Sequence, residues 1–118
     1  MQREIMWTLE EDYESLPTVF NTLQAHFPEY PEVSFAEQVM DAMLDLFAMG
    51  FVEFSRQVTV KHGPPVRIVE QDESVVVESL KCVLYDAHVQ AWGWNQDRYG
   101  EENIAVALTD TGIRALRT

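Results

Sequence analysis

The sequence predicts an α+β fold, and three observations lead to that prediction. Apolar residues recur at helical spacing over residues 19–27 and again over residues 35–47. Runs that alternate between apolar and other residues, typical of strands, occur at residues 57–61 and 104–108. With 118 residues and a hydrophobic fraction of 47%, the chain is long enough to bury one core, so we expect a single domain over residues 1–118.

The first predicted helix begins near Pro17. Proline suits the first turn of a helix, where a backbone N–H would have no partner within the helix. Val19, Phe20 and Leu23 then follow helical spacing. We expect this helix to end before Pro28, because proline cannot continue the hydrogen-bond ladder.

The second predicted helix begins at Ser34, which forms a capping box with Glu37. Gly50 supplies the left-handed residue that ends it, and residues 51–54 begin a strand. One broad arc of this helix is apolar and is expected to face the core; it comprises Phe35, Val39, Met43, Leu46 and Phe47.

The middle of the chain predicts a hairpin followed by a third helix. Residues 57–61 and 66–69 are its two strands, joined by a turn at residues 62–65. We expect the helix to be capped by Asp72 or Ser74 and to continue for four turns to Ala91. The segment 72–91 contains a β-branched run at residues 75–77, which favours a strand instead. Trp92, Gly93 and Trp94 end the predicted helix, and residues 95–103 form a polar loop.

The last two predicted elements are a strand over residues 104–108 and a short terminal helix. Thr109 is a suitable N-cap for this helix. Gly112 lies where the backbone is expected to turn close to a neighbouring segment.

Two segments resemble the winged helix-turn-helix family. Residues 42–54 are similar to the family's helix that ends at a glycine before the first wing strand, and residues 106–116 to the closing wing strand and terminal helix. With the preceding helix, the resemblance spans residues 18–54 and 104–117. It implies a winged-helix-like α+β domain with an inserted hairpin and helix, in which the family's short middle helix is missing or reduced to a turn around residues 29–33.

Charge is strongly segregated along the chain, whose net charge is −12. Residues 1–53 carry 11 acids and one base, or −10, whereas residues 54–118 carry 9 acids and 7 bases, or −2. No lysine or arginine lies between Arg3 and Arg56. Such a field repels nucleic acid and anionic lipid and favours a basic partner, although acidity that serves only solubility remains an alternative.

Three of the acids, Glu37, Asp41 and Asp45, share one arc of the second helix. The winged-helix resemblance would make this helix the DNA-reading element, which ordinarily needs lysine or arginine to contact phosphate. We therefore expect a non-enzymatic, acidic protein-binding module, such as an inhibitor or immunity-type protein for a basic partner. A polar face that is merely solvated remains the alternative.

Trp92 and Trp94 complete the expected partner-binding set. Tryptophan dominates binding hot spots when it is exposed. Closure of one end of the core is the alternative role for both side chains.

A second hypothesis is a transcriptional regulator that binds DNA through the basic hairpin residues Arg56, Lys61 and Arg67. Its acidic helix would then form a dimer interface, so a homodimer remains open. Protection of a sheet edge is the alternative role of these bases.

No enzyme motif, cofactor site or metal site is expected. Cys82 is the single cysteine, so no intramolecular disulfide can form. His26, His62 and His88 lack metal-ligand spacing. No apolar run approaches the roughly 20 residues needed to cross a bilayer, so we expect a cytoplasmic protein without a membrane span.

Overall fold

The computed structural model describes residues 1–10, 12–95 and 104–118, and its fold is α+β. Four strands form an antiparallel sheet in the order β1-β6-β2-β3, and β4 and β5 form a separate hairpin. The elements in chain order are α1 (Gln2–Thr8), β1 (Glu14–Ser15), α2 (Leu16–His26), α3 (Glu32–Ala48), β2 (Val52–Val58), β3 (Val66–Glu70), α4 (Glu73–Lys81), β4 (Val83–Asp86), β5 (Ala91–Trp94), β6 (Ile104–Leu108) and α5 (Asp110–Arg117).

Helix α2 confirms the first predicted helix. Ser15 is its N-cap, and the Ser15 hydroxyl oxygen accepts a hydrogen bond from the Thr18 N–H at 3.3 Å. Pro17 lies in the first turn, and the helix ends at His26, two residues before Pro28. Its buried face, which includes Val19, lies against the core.

Helix α3 begins two residues earlier than predicted, at Glu32. Pro31 is the N-cap and makes no side-chain capping bond. The capping box of Ser34 with Glu37 was therefore wrong, because the extended backbone of Pro31 (φ −60°, ψ 149°) already starts the helix and leaves Ser34 inside its first turn.

The end of α3 confirms the prediction at Gly50, whose φ is +75°. The Gly50 N–H donates to the Phe47 carbonyl oxygen at 3.0 Å, and the Phe51 N–H donates to the Leu46 carbonyl oxygen at 2.9 Å. These two bonds are a Schellman motif, which satisfies carbonyl groups that the helix leaves without partners. The chain enters β2 directly afterwards.

Helix α1 was not predicted from the sequence. It has no side-chain cap, and only Ile5 and Met6 are buried within it. Seven residues are too few to form a stable helix alone, so α1 depends on its contacts with α2, α3 and α5. Helix α1 therefore adds a helix before α2, whereas between α2 and α3 the chain forms only a turn at residues 28–30.

The predicted hairpin is present as β2 and β3, although β2 is a single strand that ends at Val58 rather than at residue 61. Strand β2 pairs with β3 on one side and with β6 on the other. Phe54 lies opposite both Glu70 and Val106 and is fully buried. The sheet therefore presents its Phe54 side to the helices.

The long helix predicted to reach Ala91 was wrong beyond Lys81, where α4 ends. The chain instead forms the hairpin β4-β5, in which Tyr85 pairs with Trp92. Burial alternates along β4: Val83 is buried, Leu84 is exposed and Tyr85 is half-buried. Burial with a period of two is that of a strand, and the pairing of β4 with β5 accompanies the burial of Trp92 in the core. The loop predicted at residues 95–103 lies, apart from Asn95, outside the described residues.

Trp92 occupies an aromatic cluster in the core. Its ring centroid lies 5.2 Å from that of Phe20, 5.5 Å from that of Phe35 and 5.4 Å from that of Tyr85. Tilted pairs at these distances stabilise beyond simple burial. The cluster joins α2, α3 and the β4-β5 hairpin.

The predicted strand, cap and terminal helix are confirmed in β6, Thr109 and α5. The Thr109 hydroxyl oxygen accepts from the Gly112 N–H at 3.0 Å and donates to the Gly50 carbonyl oxygen. A Cβ on Gly112 would overlap the Phe51 carbonyl group, so only glycine fits there. This contact holds the start of α5 against the junction between α3 and β2.

Candidate functional site

Helix α3 presents three carboxylates on one exposed side, and we call Glu37, Asp41 and Asp45 the acidic face. Their four-residue spacing places them on successive turns, about 6 Å apart along the helix axis. The opposite side of α3 is buried, and this burial fixes the rotation of the helix and turns the carboxylates outward. The buried residues are Phe35, Val39, Ala42, Met43 and Leu46.

No base in the described part of the chain neutralises the acidic face. Among the described residues, no lysine or arginine lies within ion-pair distance of Glu37, Asp41 or Asp45. Asp45 accepts one hydrogen bond, from the neutral side-chain amide of Gln2 at 3.3 Å. Like charges four residues apart destabilise a helix by about 0.2–0.5 kcal/mol per pair. The face therefore opposes the stability of its own helix.

Apolar side chains flank the acidic face at both ends. Val33, in the first turn of α3, and Met49, its C-cap residue, are both exposed. A binding surface commonly combines apolar contact with charge. Helix α3 thus presents exposed apolar and acidic side chains in one row on its surface.

Trp92 does not belong to this surface. Only 7% of it is exposed, and its indole N–H donates to the Gln24 side-chain oxygen. The expected role in partner binding requires exposure, so the structure assigns Trp92 to the core instead. Trp94 is half-buried and lines a cavity of about 260 Å³ with Arg67, which places it at the sheet rather than with the acidic face.

The basic hairpin presents two of its three bases to solvent. Arg56 and Lys61 are exposed. Arg67 is half-buried: one of its guanidinium N–H groups donates to the Ser55 hydroxyl oxygen at 3.0 Å, and the guanidinium carbon lies 4.3 Å from the centre of the Tyr13 ring. These contacts hold Arg67 against the sheet.

Tyr13, Glu53 and Ser55 form a network with Arg67 that sequence reasoning missed. The Tyr13 hydroxyl donates to a Glu53 carboxylate oxygen at 2.7 Å. This hydrogen bond raises the pKa of Tyr13 because it requires the phenolic proton, and burial and the Glu53 charge act in the same direction. The available signal was the alternation of Glu53, Ser55 and Gln57, which places polar side chains on one side of β2.

The described residues contain no group of three or more histidine, cysteine or acidic side chains suited to a metal ion. His26 ends α2, His62 lies in the β2-β3 connection and His88 in the β4-β5 turn, while Cys82 is buried. No helix in the described part of the chain has the length and apolar character needed to cross a bilayer.

No family model, curated protein or solved structure matches this chain. Its function must therefore be argued from the charge and geometry of its own surface.

Proposed function

We propose that this protein is a non-enzymatic protein-binding module whose acidic face binds a basic partner. The observation that carries the proposal is the row of Glu37, Asp41 and Asp45 on the exposed side of α3, which forms no ion pair with any base among the described residues. A helix fixes the spacing of its side chains more closely than a loop does. It therefore suits a partner that presents lysine or arginine at a matching interval.

The wider charge distribution supports the same partner class. Residues 1–53 carry a net charge of −10 within a total of −12, so the half of the chain that contains α3 produces most of the negative field. Such a field accelerates encounters with cationic surfaces and slows encounters with nucleic acid. An inhibitor or immunity-type protein for a basic, nucleic-acid-directed protein is one concrete form, in which carboxylates occupy positions meant for phosphates.

We also infer that the domain is a winged-helix variant with an insertion in its wing. The order of three helices before β2, with β6 between β1 and β2 in the sheet, supports this inference. Under it, α3 takes the position of the family's DNA-reading helix, and β3, α4 and the β4-β5 hairpin form the insertion. The acidic face then opposes DNA at the place where the family would read it.

The alternative is DNA binding through Arg56, Lys61 and Arg67. Because Arg67 contacts Tyr13 and Ser55, Arg56 and Lys61 are the two of these three bases that remain exposed for phosphate. DNA binding would be recognised by a gel shift at low salt that weakens when Arg56 and Lys61 are neutralised.

A capture experiment with charge-matched variants tests the proposal. Wild-type protein is immobilised and exposed to native cytosol, alongside the triple variant E37Q/D41N/D45N. The control variant E10Q/E29Q/E78Q removes the same number of negative charges from exposed positions elsewhere. We expect wild type and control to retain a basic protein that the α3 variant loses. Equal retention by all three proteins would refute the role of the acidic face.

A further inference from the structure

Strand β3 leaves one side of the main sheet open. It lies at the end of the order β1-β6-β2-β3 and pairs with β2 alone among the described residues. Its outer row of backbone N–H and C=O groups therefore has no strand partner in the part of the chain that the structure describes. Such an edge is a template for another strand.

The centre of this edge is apolar and exposed. Val66, Ile68 and Val69 expose 48%, 43% and 44% of their surfaces. Edge strands are usually guarded by charged side chains, proline or bulges. The charged residue at the centre of β3, Arg67, is instead held against Tyr13 and Ser55. The charge of Arg67 therefore does not protect the apolar centre of β3 against pairing with another strand.

We propose that β3 pairs with β3 of a second copy of this chain, antiparallel about a twofold axis at Ile68. The two four-stranded sheets would then form one continuous sheet. In this register Ile68 lies opposite its own equivalent, and Arg67 lies opposite Val69 of the second copy. Residues opposite each other in an antiparallel pair project to the same side, so Ile68 packs on Ile68.

The charges flanking β3 favour a second copy in this orientation. Lys61 precedes the strand, whereas Glu70, Asp72 and Glu73 lie at its end or follow it. Antiparallel pairing brings the acidic end of each strand beside the basic end of the other, whereas parallel pairing brings like charges together. In this register Glu70 lies opposite Val66 of the second copy, so the acidic end of each strand lies on the side where Lys61 precedes the other strand. The contact is therefore complementary to itself, as a twofold interface requires.

Sedimentation velocity over a concentration series tests this dimer. We expect wild type to change from monomer to dimer mass as concentration rises, with slower hydrogen exchange along β3. I68K raises the dimer dissociation constant at least about tenfold, because two buried isoleucines are lost per dimer. V89K, at an exposed apolar position in the β4-β5 turn, leaves the constant unchanged. Monomer mass at every concentration, or equal dimerisation of I68K and wild type, would overturn the proposal.

Charge exchange tests the orientation with substitutions that leave the apolar centre intact. K61E and E73K each weaken the dimer, and the double variant K61E/E73K recovers it because opposite charges again meet across the axis. A double variant that dimerises no better than either single variant contradicts the antiparallel register. The acidic face is unchanged in all of these variants, so their outcome is independent of partner binding by α3.

Discussion

The side chain of Asn21 binds both main-chain polar groups of Trp92. Asn21 Nδ2 donates to the Trp92 carbonyl oxygen at 3.0 Å, and the Trp92 N–H donates to Asn21 Oδ1 at 2.7 Å. The Asn21 side-chain amide thus satisfies the Trp92 main-chain N–H and C=O, as a paired strand would, and it links β5 to α2. This attachment, together with the bond from the Trp92 indole N–H to Gln24, connects the buried Trp92 to α2.

Asn21→Ala is predicted to destabilise the fold by about 1–2 kcal/mol. The substitution leaves two partly buried main-chain groups without their protein partner, at a cost typical of a lost hydrogen bond. Urea unfolding followed by tryptophan fluorescence measures the change. Thr22→Ala, at the exposed neighbouring position, is the control, and an equal loss of stability in both variants would contradict this role of Asn21.

Gly112→Ala is predicted to destabilise the fold by about 1–3 kcal/mol, the range for an overpacked site. The added methyl group would overlap the main-chain carbonyl of Phe51, and a main chain cannot swing aside as a flexible side chain can. Gly93→Ala is the matched control, since a Cβ at Gly93 meets nothing within 4 Å. Thermal unfolding compares the two variants. A larger loss of stability in Gly93→Ala than in Gly112→Ala would contradict the close contact between Gly112 and Phe51.

Tyr13 predicts a loss of stability at alkaline pH. Its pKa in the folded state lies above the ordinary value of 10.0, chiefly because its hydroxyl donates to Glu53. The folded state therefore holds the proton more tightly than the unfolded state. The resulting stabilisation is complete below the ordinary pKa and is lost as pH rises through the folded pKa.

The contribution of the Tyr13 proton is isolated by urea midpoints of wild type and Tyr13→Phe, measured below the ordinary pKa of tyrosine and above the folded pKa of Tyr13. Phenylalanine keeps the ring beneath Arg67 but has no proton to lose. The wild-type midpoint should fall more steeply with pH than the Tyr13→Phe midpoint. Parallel pH profiles would contradict the assigned hydrogen bond.

The sequence predicted the elements that local chemistry determines. Pro17 and Pro28 bracket α2, Gly50 ends α3, and Thr109 caps α5, because each residue acts on its own few neighbours. The exposure of the acidic face followed in the same way from the period of the apolar residues on α3.

The features that the sequence missed depend on contacts between distant segments. Helix α1 is held by other helices, and the β4-β5 hairpin is held through Asn21 and Trp92, which lie 71 residues apart. The sequence predicts Arg67 to be an exposed base, whereas the fold places its guanidinium over the Tyr13 ring. Spacing along the chain carries no information about such contacts.

The affinity between this protein and its captured basic partner tests the proposed function most directly. Isothermal titration at two salt concentrations compares wild type, E37Q/D41N/D45N and the control E10Q/E29Q/E78Q. Three exposed charge pairs contribute about 1–3 kcal/mol together, so we predict at least about fivefold weaker binding by the α3 variant, with a smaller dependence on salt. Equal dissociation constants for the α3 variant and wild type at both salt concentrations would contradict the proposal.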